Sequence, residues 1–190
     1  MSTHSVIARP GDGDRIHAVY CHFDGGPSHQ LPLLLTAYRY RFGQALDDMT
    51  RHLITDAPAG WDVLGTDLLA GAPEELRSRI APYLDPSRKQ ATTDATSVAD
   101  APLTTTLREL RHSSLSWAYV LGQRGIDVIP LTHWSGPERY LVTWATDARS
   151  YFPDDPDHWV PPRRSRTARA AKPHPRTADA TSPVPRRSRT

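Results

Sequence analysis

The clearest pattern of apolar and polar positions lies between residues 31 and 53. Within it, apolar residues recur at steps of three and four, which is the spacing of one face of an α-helix. Most of the polar residues lie between them. The pattern predicts one long amphipathic helix, N-capped by Ser28, with Pro32 in its first turn. The apolar positions are Leu31, Leu34, Leu35, Tyr38, Phe42, Ala45, Leu46, Met49 and Leu53.

Two segments rich in β-forming residues, 5–9 and 16–23, flank a Gly/Asp-rich turn near the start of the chain. Glycine tolerates the positive φ that tight hairpin turns require, so Asp12-Gly13 predicts a two-residue hairpin turn. Centred there, the hairpin would pair Val6 with Val19 and His4 with Cys21.

Three further strand candidates follow in the second half of the chain, at 115–121, 126–131 and 140–145. The sequence GQRG joins the first two and indicates a hairpin. Pro130 has no N–H to donate to a sheet, which places the middle strand at an edge or ends it there.

The middle of the chain gives weaker signals. Segments 72–82 and 103–112 are interpreted as short helices, 61–71 has no clear assignment, and 85–102 is predicted to be a mobile loop because it is polar and aperiodic. Together the elements predict an α+β domain over residues 1–160. In it, an antiparallel sheet, made of the N-terminal hairpin and a C-terminal meander, packs on the long helix.

Charge divides the chain into two parts. Residues 1–160 hold 14 basic and 20 acidic residues, a net charge of −6, whereas 161–190 hold nine basic residues and one acidic residue, a net charge of +8. The second part has few large apolar residues and repeats the sequence PRRSRT at 162–167 and 185–190. We therefore expect 161–190 to be a disordered Pro/Arg-rich tail.

A basic tail on an acidic body suggests an interaction with polyanions. The expected partner is nucleic acid or an acidic protein. The alternative is an extension that only increases solubility or folds back on the acidic body. The expected nucleic-acid contacts are Arg163, Arg164, Arg166, Arg169, Arg186, Arg187 and Arg189.

Cysteine content and hydropathy indicate the compartment. Cys21 is the only cysteine, so no internal disulfide can form, which fits a reducing environment. The sequence has no apolar run long enough for a transmembrane helix, and its N-terminus lacks the apolar core of a signal peptide. We expect a cytoplasmic protein without a membrane partner.

The segment YCHFDGGP holds the candidate catalytic residues. His22 and Asp24 share one face of a strand, a pairing that suits a metal site or acid–base catalysis, with His133 or His158 as a further ligand. The structural alternative is that Asp24 opens the DGGP turn. No metal-ligand spacing is diagnostic, so the sequence predicts no particular cofactor and assigns no metal-ligand set.

Cys21 and His4 form the second candidate pair. Across the predicted hairpin the histidine would sit beside the thiol, and such a pair can generate a thiolate nucleophile. The alternative is that Cys21 is a small buried hydrophobic residue.

Aromatic residues concentrate in the C-terminal strands, where they are interpreted as core, with a base-stacking surface as the alternative. These residues are Trp117, Tyr119, Trp134, Tyr140 and Trp144.

Two stretches, MSTHSVIARPGDG and YCHFDGGPS, resemble small proteins of actinobacteria and of their phages and plasmids. Members of that family open with Met-Ser-Thr-Arg-Ser and carry His-Trp-Asp-Gly-x-Pro before a helix. The resemblance covers about the first 50 residues and roughly 115–150. His4, Phe23 and Gly26 depart from the family pattern, which has Arg, Trp and an aromatic residue there.

The family has no established activity, so the resemblance implies a genomic context and no mechanism. The preferred hypothesis is a non-enzymatic binding or accessory protein of an actinobacterium or its mobile elements. The alternative is a small metal-dependent or Cys/His hydrolase centred on CHFDGG.

Overall fold

The computed structural model describes residues 3–81, 94–95, 103–111, 113–132, 138–155 and 158–159. Eight strands in these ranges form one sheet in the order β4-β3-β2-β1-β6-β7-β8, and β5 also pairs with β2. The strands are β1 (Ser5–Pro10), β2 (Arg15–Cys21), β3 (Trp61–Val63), β4 (Asp94–Ala95), β5 (Leu103–Thr106), β6 (Trp117–Gly122), β7 (Gly125–Pro130) and β8 (Tyr140–Thr143).

The N-terminal hairpin is confirmed, but its register differs by one residue from the prediction. Val6 pairs with Tyr20 and not with Val19. The loop is one residue longer than the Asp-Gly turn requires, because Gly11 N–H donates to the carbonyl oxygen of Arg15 over 2.9 Å and leaves three residues between them. A change of one residue in register moves every cross-strand neighbour.

The α+β class is confirmed, whereas the prediction of an antiparallel sheet is wrong. β1 and β6 lie parallel, with Ser5 opposite Trp117 and Ala8 opposite Val120. β2 and β3 are also parallel, paired at Cys21 and Trp61. Parallel neighbours need a long crossover connection, which the helical region between the hairpin and β6 supplies. The sheet is therefore mixed.

The C-terminal meander has the predicted connectivity. Gly122 pairs with Gly125, so the β6–β7 hairpin turns through two residues, and β8 continues the sheet antiparallel to β7. Pro130 is the last residue of β7. It ends a strand that lies inside the sheet, between β6 and β8.

The single long helix predicted over 31–53 is wrong, because the segment is broken in the middle. Gly26, not Ser28, is the N-cap residue of the first helix. Gly43 and Gln44 both have positive φ, 56° and 71°, which an α-helix cannot accommodate. The pieces are α1 (Pro27–Thr36), a π-helical turn (Ala37–Arg41), α2 (Leu46–Thr50) and a second π-helical turn (Arg51–Thr55).

The rest of the middle region is part helix and part strand. The helix predicted at 72–82 is present as α3 (Glu74–Ile80), and a 3₁₀ helix occupies Thr66–Leu69. The helix predicted at 103–112 is partly wrong, because β5 takes its first residues and α4 is only Leu107–Leu110. Of the predicted loop 85–102, only the strand β4 is described, and the predicted tail 161–190 lies outside the described residues.

The sheet buries apolar residues on both faces. The face under α1 and α2 carries the larger cluster, which contains Trp117, Tyr119 and Tyr140 and confirms them as core. Trp144 packs against this cluster and Trp134 lies outside the described residues. The opposite face holds a smaller cluster: Val6, Ala8, Ile16, Ala18, Leu110, Leu115, Ala118, Val120, Ile129 and Leu131. Within the described ranges, no helix is both long and apolar enough to cross a membrane.

Candidate functional site at the junction of β2 and α1

The CHFDGG segment carries the chain from the end of β2 into α1. Beyond Cys21 the backbone still follows β3: His22 N–H donates to the carbonyl oxygen of Trp61 over 2.9 Å, and Phe23 N–H donates to that of Asp62 over 2.8 Å. Asp24 then turns the chain with a φ of 54°. The chain therefore changes direction at Asp24, and Asp is one of the short polar residues that tolerate such a φ.

The two glycines after Asp24 pass through a narrow space. Gly25 N–H donates to the carbonyl oxygen of Thr3, and the Tyr119 hydroxyl donates to the carbonyl oxygen of Gly25, both over 2.8 Å. A Cβ on Gly25 would lie 2.7 Å from both Thr3 O and Ser5 Oγ. Glycine is needed there because a side chain would collide with backbone, whatever the φ.

Cys21 is buried beneath this junction and belongs to the core cluster under α1. Its sulfur accepts a hydrogen bond from Gln30 Nε2 over 3.4 Å and donates weakly to the carbonyl oxygen of Phe23 over 3.6 Å. Burial raises the pKa of the thiol to about 12, although the Gln30 contact acts in the opposite direction. The thiol is therefore protonated near neutral pH, and a thiol is a poor nucleophile.

A small buried polar cluster surrounds the thiol. Ser5 lies opposite Cys21 in the hairpin, and Gln30 Nε2 also donates to the carbonyl oxygen of Asp24 over 3.2 Å. Gln30 Oε1 and Asp24 Oδ2 are buried and have no hydrogen-bond partner among the described atoms. Asp24 is thus tied into the junction through its backbone.

The histidines lie on the other side of the strand, among other rings. His4 Nδ1 donates to the carbonyl oxygen of His22 over 2.5 Å, and the two ring centroids are 4.9 Å apart. Tyr20 lies 5.7 Å from each, and Phe23 lies 4.1 Å from His22. We call these four half-buried side chains the ring cluster. The sequence did not predict that His4 and His22 meet, because that contact depends on the hairpin register.

The structure separates the predicted pair of Cys21 and His4. The residue opposite Cys21 is Ser5, and neighbouring strand residues point to opposite faces, so the thiol enters the core while His4 joins the ring cluster. The arrangement therefore does not bring the His4 imidazole to the thiol.

The metal hypothesis for His22 and Asp24 gains no third ligand from the described residues. His158 Nδ1 lies 2.8 Å from a carboxylate oxygen of Asp155, and His133 is outside the described residues. Across the described part of the chain, no group of three or more His, Cys, Asp or Glu side chains could hold a metal ion.

A second group of titratable side chains, which sequence analysis missed, links the two π-helical turns to the 3₁₀ helix. Arg41 forms an ion pair with Asp67, and Arg41 Nη2 lies 3.3 Å from His52 Nε2. Burial, followed by the Arg41 charge, lowers the pKa of His52. Position 67 lies on a separate element, 15 residues after position 52, so no local sequence pattern marks the three together.

The fold and the junction together define an α+β protein with a mixed sheet and a glycine-rich connection locked between β2 and α1. Comparison with protein-family models, curated proteins and solved structures found no match. The resemblance to the actinobacterial and phage proteins therefore stays a prediction.

Proposed function

We propose that this chain is a non-enzymatic binding or accessory protein of an actinobacterium or its mobile elements. Its folded body recognises a partner, and its basic tail, residues 161–190, adds attraction to nucleic acid. The observation that carries the proposal is the division of charge, with +8 on the tail and −6 on residues 1–160.

Electrostatics explains why the tail would be the nucleic-acid contact. Basic side chains that neutralise phosphates release condensed counterions, so affinity falls steeply as salt rises. The acidic body repels a polyanion at long range. Binding should therefore depend on the positive charge of the tail arginines and show little preference for one nucleotide sequence over another.

The geometry of the junction supports a binding protein over the hydrolase alternative. Cys21 is a protonated, buried thiol and His4 lies on the opposite side of the strand. Asp24 holds the turn, and His22 belongs to the ring cluster. These contacts support a structural role for each of the four candidate residues. We expect a cytoplasmic location and no cofactor.

The test measures binding of a labelled DNA duplex and a labelled RNA duplex by fluorescence anisotropy, from about 50 mM to about 200 mM salt. The full chain should bind at low salt and lose affinity by orders of magnitude over that range, whereas residues 1–160 should not bind. A variant with the seven predicted contact arginines, out of the eight in the tail, changed to lysine should keep most of the affinity, and one with glutamine at those seven positions should lose most of it.

Two controls make the result specific. Arg51→Gln removes one charge from the body, where Arg51 forms an ion pair with Asp48, and should leave binding unchanged. A polyglutamate peptide tests the acidic-protein alternative. Absence of duplex binding by the full chain, equal binding by residues 1–160, or preference for polyglutamate over the duplex would each overturn the nucleic-acid proposal.

The hydrolase alternative has its own measurement. It requires metal in the purified full chain, or a hydrolytic activity that Asp24→Ala abolishes while the circular-dichroism spectrum stays native. Either result would replace the binding proposal for the junction.

A further inference from the structure

The guanidinium group of Arg41 contacts side chains of two other helical segments. Arg41 lies in the first π-helical turn and forms an ion pair with Asp67 of the 3₁₀ helix. Its Nη2 lies 3.3 Å from Nε2 of His52, which belongs to the second π-helical turn. The Arg41 and Asp67 side chains are only 25 % and 26 % exposed, so solvent screens their charges less than those of a surface pair.

The contact between Arg41 and His52 requires a neutral imidazole. A guanidinium group has only N–H donors and keeps its positive charge in proteins, so Nε2 of His52 must accept the hydrogen bond. The one ring proton of the neutral imidazole is then on Nδ1. A second proton, added to Nε2, would set two donors and two positive charges against each other across 3.3 Å.

The surroundings give neither group an easy way to turn aside. The centroid of the His52 ring lies 5.5 Å from that of Phe42 and 5.9 Å from that of Trp61. Arg41 cannot withdraw without giving up its ion pair with Asp67. Protonation of the imidazole is therefore relieved by separation of the two π-helical turns.

The charged groups that act on His52 come from the segments packed against it and from its own segment. Arg41 opposes protonation, whereas Asp67 and Asp56 favour it. Burial is the largest effect and, together with Arg41, lowers the pKa of His52 below its usual value of 6.5. As the pH falls, the unfolded chain binds this proton before the folded chain does. The contribution of His52 to stability is therefore complete above about pH 6.5 and is lost as the pH falls.

We propose that the contact between Arg41 and His52 is an acid-sensitive latch between the two π-helical turns. The latch is closed while the imidazole is neutral, and it opens when protonation drives the two cations apart. Gly43 and Gln44 lie on the connection between the turns, are exposed and have positive φ, so this connection can absorb the movement. The latch uses no residue of the tail and is independent of the proposed nucleic-acid contact.

The experiment follows the full ¹⁵N-labelled chain by NMR from about pH 8 to about pH 5, the range in which histidine titrates. Amides of the two π-helical turns and of the 3₁₀ helix should shift with one midpoint, equal to the pKa of the His52 ring and below 6.5. Hydrogen exchange in the two turns, corrected for the intrinsic rate at each pH, should be about tenfold faster at the acidic end. That is the size expected for loss of one hydrogen bond to a charged group.

Two variants make the proposal specific. His52→Gln supplies a neutral acceptor that does not titrate, so it should keep slow exchange over the whole pH range and lose the shared midpoint. Arg41→Gln removes the positive charge that faces the imidazole, so it should raise the pKa of His52. The Arg41→Gln titration decides the question even if His52→Gln fails to fold.

His158→Gln is the matched control. His158 is an exposed histidine whose Nδ1 lies 2.8 Å from a carboxylate oxygen of Asp155, and its loss should leave the midpoint and the exchange rates of the latch unchanged. Exchange in the two turns that is constant over this pH range, or that accelerates equally in His52→Gln, would overturn the proposal. An unchanged pKa of His52 in Arg41→Gln, or a shared midpoint that disappears in His158→Gln, would overturn it as well.

Discussion

At the scale of single residues, folding strongly raises the pKa of the Cys21 thiol. Its usual pKa is 9.0, and burial raises it to about 12 in the folded chain. Between these values the unfolded chain loses the thiol proton and the folded chain keeps it. The contribution of Cys21 to stability is therefore complete below about pH 9 and is lost as the pH rises toward 12.

We expect the free energy of unfolding to fall above about pH 9 by up to about 1.4 kcal/mol per pH unit from this one group. Cys21→Ala should remove this dependence between about pH 9 and about pH 10. At higher pH the raised pKa of Tyr119, which is also due mainly to burial, adds its own loss of stability. Urea denaturation of both proteins across this range makes the comparison.

Thiol labelling provides an independent control for the same residue. Iodoacetamide should modify Cys21 slowly in the folded chain and rapidly in urea. An equal pH slope in Cys21→Ala, or labelling of the folded chain at the rate of a free thiol, would contradict the burial of this group.

At the scale of elements, the break between the first π-helical turn and α2 is the main departure from the amphipathic pattern. Gln44 N–H donates to the carbonyl oxygen of Tyr38 over 2.7 Å, six residues back, which gives one carbonyl at the helical end a partner. Gly43 adopts a positive φ without steric cost because it has no Cβ. Gln44 adopts a positive φ at a cost because its Cβ lies close to the backbone.

Substitutions at the break should have opposite effects. Gln44→Gly should raise the free energy of unfolding by about 0.5–1 kcal/mol, because glycine adopts the left-handed backbone conformation without the steric cost of a side chain. Gly43→Ala should lower it by about 1–2 kcal/mol for the converse reason. Chemical denaturation of the full chain measures both.

Gln123, in the β6–β7 turn, is the matched control. It is exposed and is not among the described non-glycine residues with positive φ, so Gln123→Gly should destabilise the fold through unfolded-state entropy. If Gln44→Gly destabilises the chain as Gln123→Gly does, the left-handed conformation at 44 is not the source of strain.

At the scale of the whole molecule, the parallel contact of β1 with β6 joins the N-terminal hairpin to the C-terminal meander. Ile7 and Tyr119 face each other across it and are fully buried. β8, by contrast, ends the strand order and, among the described strands, pairs with β7 alone. Opening the centre of the sheet therefore requires unfolding most of the molecule, whereas the β8 edge can open locally.

Native-state hydrogen exchange should show this order. Amides of β1 and β6 should exchange slowest, with free energies near that of global unfolding, and those of β8 should exchange faster. Removing residues 161–190 should leave the rates in β1 and β6 unchanged. Exchange from β6 at the rate of β8 would show that the two halves of the sheet unfold separately.

The sequence by itself determined the elements that short-range chemistry specifies. The Gly/Asp-rich segment produced the first hairpin, GQRG produced the second, and 72–82 contained α3, because turn residues and apolar spacing act within a few positions. The alternation of a strand also places Cys21 in the core and His22 in the ring cluster, since neighbouring strand residues face opposite sides.

Only the tertiary structure decided which distant residues meet. One extra loop residue changed the hairpin register, which set Ser5 opposite Cys21 and brought His4 to His22. The parallel pairing of β1 with β6 likewise joins parts of the chain far apart in sequence. Packing against the shared core selects such contacts, and no local pattern of residues encodes the energy of that packing.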